Sequence, residues 1–178
     1  VADGADDAAF AFDAARFKDA MGRFATGVTI VSGIDGDSPV GFTCQSFVSL
    51  SLDPPYVAVA PARTSTSWPR IARSGSFCVN VLHEDQLEVC RGFAVSGGPK
   101  FDGVDWHPAP GTGSPVIEGS LAWVDCRVEL VHDAGDHELI LGRVLDLGVG
   151  EGSPLLFFRG RFATVSHDTT PEGRRTGA

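Results

Sequence analysis

No stretch of this sequence approaches the roughly 20 consecutive apolar residues that a membrane-spanning helix needs. Positive charge is also scarce. Lys and Arg total 14 against 23 Asp and Glu, a net charge of −9. Nucleic acids and anionic membranes are held by clustered positive charge, so neither is an expected partner. The four cysteines, Cys44, Cys78, Cys90 and Cys126, form no C-x-x-C pair, which excludes zinc-ribbon and thioredoxin-type sites. The segment Val1–Ala9 lacks the basic start and apolar middle of a secretory leader. Free thiols and a cytoplasmic location are therefore expected. There is no G-x-x-x-x-G-K-[ST] loop, no G-x-S-x-G elbow and no H-E-x-x-H helix. At 178 residues the chain is too short for a dinucleotide-binding domain plus a separate catalytic one.

What is present is one well-stocked domain. Hydrophobic residues make up 43% of the chain, enough for a substantial core. Residues 1–10 are expected to be a disordered acidic tail, 11–167 the domain, and 168–178 a polar tail. Asp13 is a good helix N-cap, and Phe12 can staple onto Phe17. Ala14, Phe17, Met21 and Phe24 then share one helical face, and Gly27 ends the helix. Strands follow: Val28–Ser32, Phe42–Leu52 up to Asp53-Pro54-Pro55, Tyr56–Ala60 and Phe77–Leu82. Short helices are predicted over Thr66–Ser74 and Glu84–Phe93. In Leu121–Val131, Ala122, Val124, Cys126, Val128 and Leu130 alternate with Asp125, Arg127 and Glu129, the period of a strand with one buried face. A four-residue turn, Asp133–Asp136, leads into a returning strand, His137–Gly148, and sets His132 opposite His137. Pro154–Phe158 and Arg161–Ser166 complete the set. Seven or more strands with short helices predict a closed or partly open antiparallel barrel.

Three local patterns carry chemistry. His132, Asp133, Asp136 and His137 are metal-ligand types, yet equally the ingredients of a structural hairpin or of a substrate-facing histidine. Arg63, followed by Thr64-Ser65-Thr66-Ser67 before a helix, makes a phosphate cradle or an ordinary set of caps. Cys44 is a nucleophile or a small apolar filler. Gly148-Val149-Gly150-Glu151-Gly152 opens no helix and is read as a hairpin loop.

Several segments together resemble one family. Gly41-Phe42-Thr43-Cys44-Gln45-Ser46-Phe47, running into Ser49-Leu50-Ser51-Leu52-Asp53-Pro54-Pro55, is similar to the signature of short-chain flavin reductases. These are the reductase components of two-component flavin-dependent monooxygenases. Phe24-Ala25-Thr26-Gly27-Val28-Thr29, Phe77-Cys78-Val79-Asn80-Val81-Leu82, Gly135-Asp136-His137 with Gly142-Arg143-Val144, and Pro154–Gly160 fit in the same order.

The resemblance implies a mainly β, antiparallel, Greek-key split barrel that binds FMN and forms a homodimer. It implies hydride transfer from NADH, with NADPH as the alternative, to FMN or FAD. Free reduced flavin would then serve a separate monooxygenase. Carried over by position, Thr43, Cys44, Gln45, Ser46, Ser49, Leu50 and Ser51 fall to the flavin ring and ribityl chain. Arg63, Ser65 and Ser67 fall to its phosphate end, Asn80 and Arg91 to the phosphate or an adenylate, and Phe93 is a further cofactor-binding position. Phe24, Ala25 and Thr26 fall to the nicotinamide pocket, and His137 is the catalytic-site histidine facing that ring. No metal is implied. The alternatives on the same fold are a flavin-retaining oxidase or oxygenase and a non-catalytic flavin-binding protein.

Overall fold

The structure, a computed structural model, describes residues 11–166. The expected tails, 1–10 and 168–178, lie outside the described residues, as does His167. Among the described residues, twelve strands and three helices are formed: α1 (Ala14–Met21), β1 (Thr26–Gly27), β2 (Thr29–Asp35), β3 (Ser38–Cys44), β4 (Val48–Leu52), β5 (Pro55–Val59), α2 (Trp68–Ala72), β6 (Ser76–Val81), α3 (Leu87–Ala94), β7 (Trp106–Pro108), β8 (Pro115–Ile117), β9 (Ala122–Ala134), β10 (His137–Val149), β11 (Leu156–Phe158) and β12 (Arg161–Ala163). None of the described helices is long and apolar enough to cross a membrane.

Seven strands make one antiparallel sheet in the order β3-β2-β6-β9-β10-β5-β4. Consecutive strands β3 and β4 therefore sit at opposite edges. No ladder joins them, so the sheet is not closed into a barrel. The predicted single strand over Phe42–Leu52 is broken at residues 45–47, where the chain passes from one edge to the other. Ser46 ties this crossing down: its Oγ accepts from Ala60 N at 2.9 Å and donates to Ala60 O at 3.1 Å.

The main core lies on the inner face, where Val31, Val40, Val57, Val59, Ile71, Phe77, Val79, Cys126 and Ile140 pack together. Gly142 belongs to it by having no side chain: a Cβ there would stand 2.5 Å from Phe77 Cζ. A second cluster, with Val28, Ile30, Leu82, Cys90, Phe93, Ile117 and Leu155, packs α3 and β8 against the first strands. Both faces of the β2–β6–β9 region are thus covered, which the alternation in β9 does not reveal. Asp125, expected on a solvent face, is fully buried beneath the 106–117 segment. Its carboxylate accepts from Gly111 N and Thr112 N, each at 2.9 Å, and from Thr112 Oγ1.

Two local expectations need correction. Helix α1 is capped as predicted, with Asp13 Oδ1 accepting from Arg16 N at 2.8 Å and Phe12 stacked on Phe17. It ends at Met21 rather than at Gly27: after Gly22 N to Lys18 O the bonding tightens to i→i−3 turns, Arg23 N to Ala20 O and Phe24 N to Met21 O. None of its residues is buried. The β9–β10 turn is two residues long, not four. His137 pairs with Ala134, and His132 pairs with Leu139, so the two histidines are not opposed. Gly135 supplies the positive φ (68°) that the tight turn requires.

Candidate active site

A cleft of about 420 Å³ opens where the β3–β4 crossing meets the β5–α2 loop and the start of β10. Its lining includes Thr43, Gln45, Ser46, Ala62, Ser65 and His137. It brings together residues that the sequence separates by almost one hundred positions. A narrower cleft of about 180 Å³ continues past Thr64, Ser65, Thr66 and Ser67 to Phe93 and Lys100. The two share Phe42, Thr43, Ala62, Ser65 and Ala94. Beyond Lys100 the depression widens into a third chamber of about 480 Å³, bounded by Ser38, Arg70 and the glycine-rich 97–98 segment. Apolar walls with a few hydroxyl and amide groups suit a flat heteroaromatic ring, and the hydroxyl-lined continuation suits a polar tail.

His137 is the first residue of β10. Its Nδ1 donates to Asp136 Oδ1 at 2.7 Å, since an ionised carboxylate only accepts, which leaves Nε2 as the free ring nitrogen. That hydrogen bond holds the Asp136 carboxyl below the usual carboxylate range. Backbone bonds seat the neighbourhood: Glu138 N donates to Pro61 O at 3.0 Å, and Ala62 bridges to His137. Trp68 Nε1 donates to Glu138 Oε2 at 2.8 Å, pinning the base of α2 to the same strand.

Lys100 is a site residue that sequence reasoning missed. Its Nζ donates to Phe93 O at 3.0 Å, Gly41 O at 3.2 Å and Ser67 Oγ at 3.4 Å. All three partners are neutral, and among the described residues Lys100 forms no ion pair. Burial pulls its pKa below the ordinary lysine value. These neutral acceptors engage all three of its N–H donors, so an anion would take the place of the longest contact, Ser67 Oγ. The signal in the sequence was slight: one Lys after Ser96-Gly97-Gly98-Pro99, a stretch whose fold composition does not specify.

Several predicted residues lie elsewhere. Asn80 is fully buried, and its amide is consumed inside the fold. Nδ2 donates to Ser32 Oγ at 2.9 Å and to the Ile30 and Pro115 carbonyls, while Oδ1 accepts from Ile117 N at 2.8 Å. Its assignment to a phosphate is therefore corrected: it is a structural knot. Arg91 points to solvent and pairs with Glu88. Arg63 lines none of the clefts; its guanidinium is held at the β9–β10 turn by Gly135 O at 2.9 Å and by Asp133. Ser49, Leu50 and Ser51 lie on the edge strand β4, outside these clefts, as do Phe24, Ala25 and Thr26 near β1. Phe93 contributes a buried wall, and Ser65 and Ser67 line the narrow cleft. Cys44 lines the larger cleft, but its thiol is bonded to Ser46 Oγ at 3.2 Å and burial pushes its pKa up, the profile of an inert thiol. Among the described residues no group of three or more His, Cys, Asp or Glu is gathered as for a metal ion.

With this geometry in view, the sequence matches the flavin reductase like domain over residues 21–166. The chain belongs to that family. It is 51% identical over 164 residues to a flavin-dependent monooxygenase reductase subunit of Rhodococcus jostii, covering 92% of this chain and 84% of the relative. The fold is also similar to that of a nitrilotriacetate monooxygenase component B homologue from Mycobacterium thermoresistibile. There the TM-score is 0.84 at 45% identity, over 91% of this chain and 92% of the other. A Streptomyces globisporus NADH:FAD oxidoreductase, solved with NAD and FAD fragments, superposes with a TM-score of 0.83 at 33% identity, over 88% and 94% of the two chains.

Proposed function

We propose that this protein is an NADH-dependent flavin reductase that supplies reduced flavin to a separate monooxygenase. The observation that carries the reading is the cleft itself. In a chain of the flavin reductase family, the residues of the Thr43–Ser46 segment, the hydroxyl run Thr64–Ser67 and the lone His137 face one continuous space. A bound FMN or FAD would supply the hydride acceptor. Thr43, Gln45 and Ser46 would hold its ring, partly through backbone groups, and exclude water from one face. Ser65, Ser67 and Lys100 would hold its phosphate, the ammonium exchanging its Ser67 Oγ contact for a phosphate oxygen. His137 would orient the nicotinamide of NADH over the ring, so that the protein's main contribution is positioning. Three-dimensional proximity of this kind needs no dinucleotide domain, which answers the objection raised by the chain's short length.

The active form is read as a homodimer. Register places Val48, Ala58, Leu141 and Leu130 in one row across β4, β5, β10 and β9. Val48 and Leu130, at the ends of the row, are each 49% exposed. A patch of this kind is a docking surface, and a second copy of the chain is the occupant the family implies.

The test is the loss of NADH absorbance with catalytic amounts of protein and added FMN or FAD. Flavin-dependent NADH loss supports the reading; its absence overturns it. Gel filtration after turnover separates an exchanging reductase, which releases flavin, from a flavin-retaining oxidase.

A further inference from the structure

The guanidinium of Arg63 is not free to meet a ligand, and where it sits has a consequence for His137. Arg63 N donates to Asp136 O at 2.9 Å, and Arg63 Nε donates to Gly135 O at 2.9 Å. Its Nη2 pairs with Asp133. One residue of the β5–α2 loop therefore grips three consecutive parts of the β9–β10 turn: the last residues of β9, the glycine and the aspartate that precedes His137. The two strands of this hairpin are 13 residues each; β6 pairs with β9 only as far as Arg127, and β5 with β10 only as far as Ile140, after which the β5–α2 loop follows β10 to the Ala62–His137 bridge. The tip projects beyond the sheet, and its side chains are exposed apart from His137. What fixes the tip is the β5–α2 loop, whose Ala62 bridges to His137 and whose residues line the same cleft as His137.

We propose that Arg63 is a positioning residue: by clamping the Gly135–Asp136 turn it sets His137 on the cleft rim, and it takes no part in binding the flavin phosphate. The inference rests on the reading of His137 as the nicotinamide-facing residue. The fork of an arginine is required, because Nε and Nη2 reach two different acceptors; a lysine has one compact head and cannot span them.

The experiment compares Arg63→Ala, Arg63→Lys, His137→Ala and the double variant Arg63→Ala/His137→Ala. Three quantities are measured: Kd for FMN and for riboflavin by flavin fluorescence, KM and kcat for NADH, and amide exchange at Arg63 and Glu138. Arg63→Ala is expected to raise the NADH KM about 3- to 10-fold, the scale of losing a few exposed charge-assisted contacts. It should leave the ratio of FMN to riboflavin affinity unchanged and speed exchange at both amides. Arg63→Lys should not restore the KM. In the His137→Ala background the Arg63 change should add nothing further.

A selective loss of FMN over riboflavin affinity, restored by Arg63→Lys, overturns the proposal and makes Arg63 a phosphate ligand. Additive KM effects overturn it too, because Arg63 would then act by another route. Unchanged exchange shows that there is no clamp. Failure of the underlying reading is seen separately, in unaltered NADH kinetics of His137→Ala alone.

Discussion

The β9–β10 hairpin carries acidic residues at both of its ends, and the two ends use them differently. At the root, Asp125 is sealed under the 106–117 segment and satisfied by three donors, beside the equally buried Asn80. At the tip, Asp133 and Asp136 stand in solvent, and their partners are Arg63 and His137. Polar groups at the root hold the fold, since each would be costly to leave unpaired. Exposed pairs at the tip contribute little to stability, so their arrangement is available for function.

This contrast can be broken in several ways. Asp125→Ala would strand two backbone N–H groups and a hydroxyl, and should lower unfolding free energy by about 3 kcal/mol or more. Urea denaturation measures it, and the folded fraction should keep its NADH KM. A variant at the root that spared stability but changed nucleotide kinetics would reverse the assignment. Gly142→Ala, midway along β10, drives a methyl into the buried Phe77 ring and should cost about 1–3 kcal/mol by the same measurement.

Lys100→Met belongs to the functional class. It should weaken FMN binding about tenfold, the effect of one charge-assisted phosphate contact, and leave riboflavin binding unchanged. The same contact has a pH signature. Burial lowers the folded-state pKa of Lys100. Its ammonium is therefore lost, as pH rises, earlier than the 10.5 of an ordinary lysine, and the FMN-specific part of the affinity should fade with it. Bound phosphate favours the charged form and shifts that loss upward. The ratio of FMN to riboflavin Kd across alkaline pH reads this directly.

Much of the hairpin was legible from the sequence because its residues obey a local rule. Period-2 alternation located β9, the turn residues after it located β10, and Asp13 with Phe12 located the start of α1. Asp125 was misread by the same rule: alternation separates two faces but does not say that a loop-rich segment covers the second. The grouping of Thr43, Gln45, Ser46, Ser65, Ser67 and His137 was reached through family resemblance, since nothing local links position 45 to position 137. Arg63 and Asn80 show the limit of that route. Both occupy motif positions, but long-range partners, Gly135 and Asp133 for one, Ile117 and Pro115 for the other, decide where each side chain goes. Lys100 went unseen because its partners are backbone carbonyls of Gly41 and Phe93, which leave no mark on composition.

The most direct test of the account uses one preparation of His137→Ala. Its unfolding free energy should stay within about 0.5 kcal/mol of the parent chain, as for a partly exposed residue at a hairpin tip. Flavin Kd and the NADH KM and kcat are then determined on the same sample. The account predicts a nearly unchanged flavin Kd, with a raised KM or slowed reduction by NADH. Loss of flavin with intact nucleotide kinetics would contradict it.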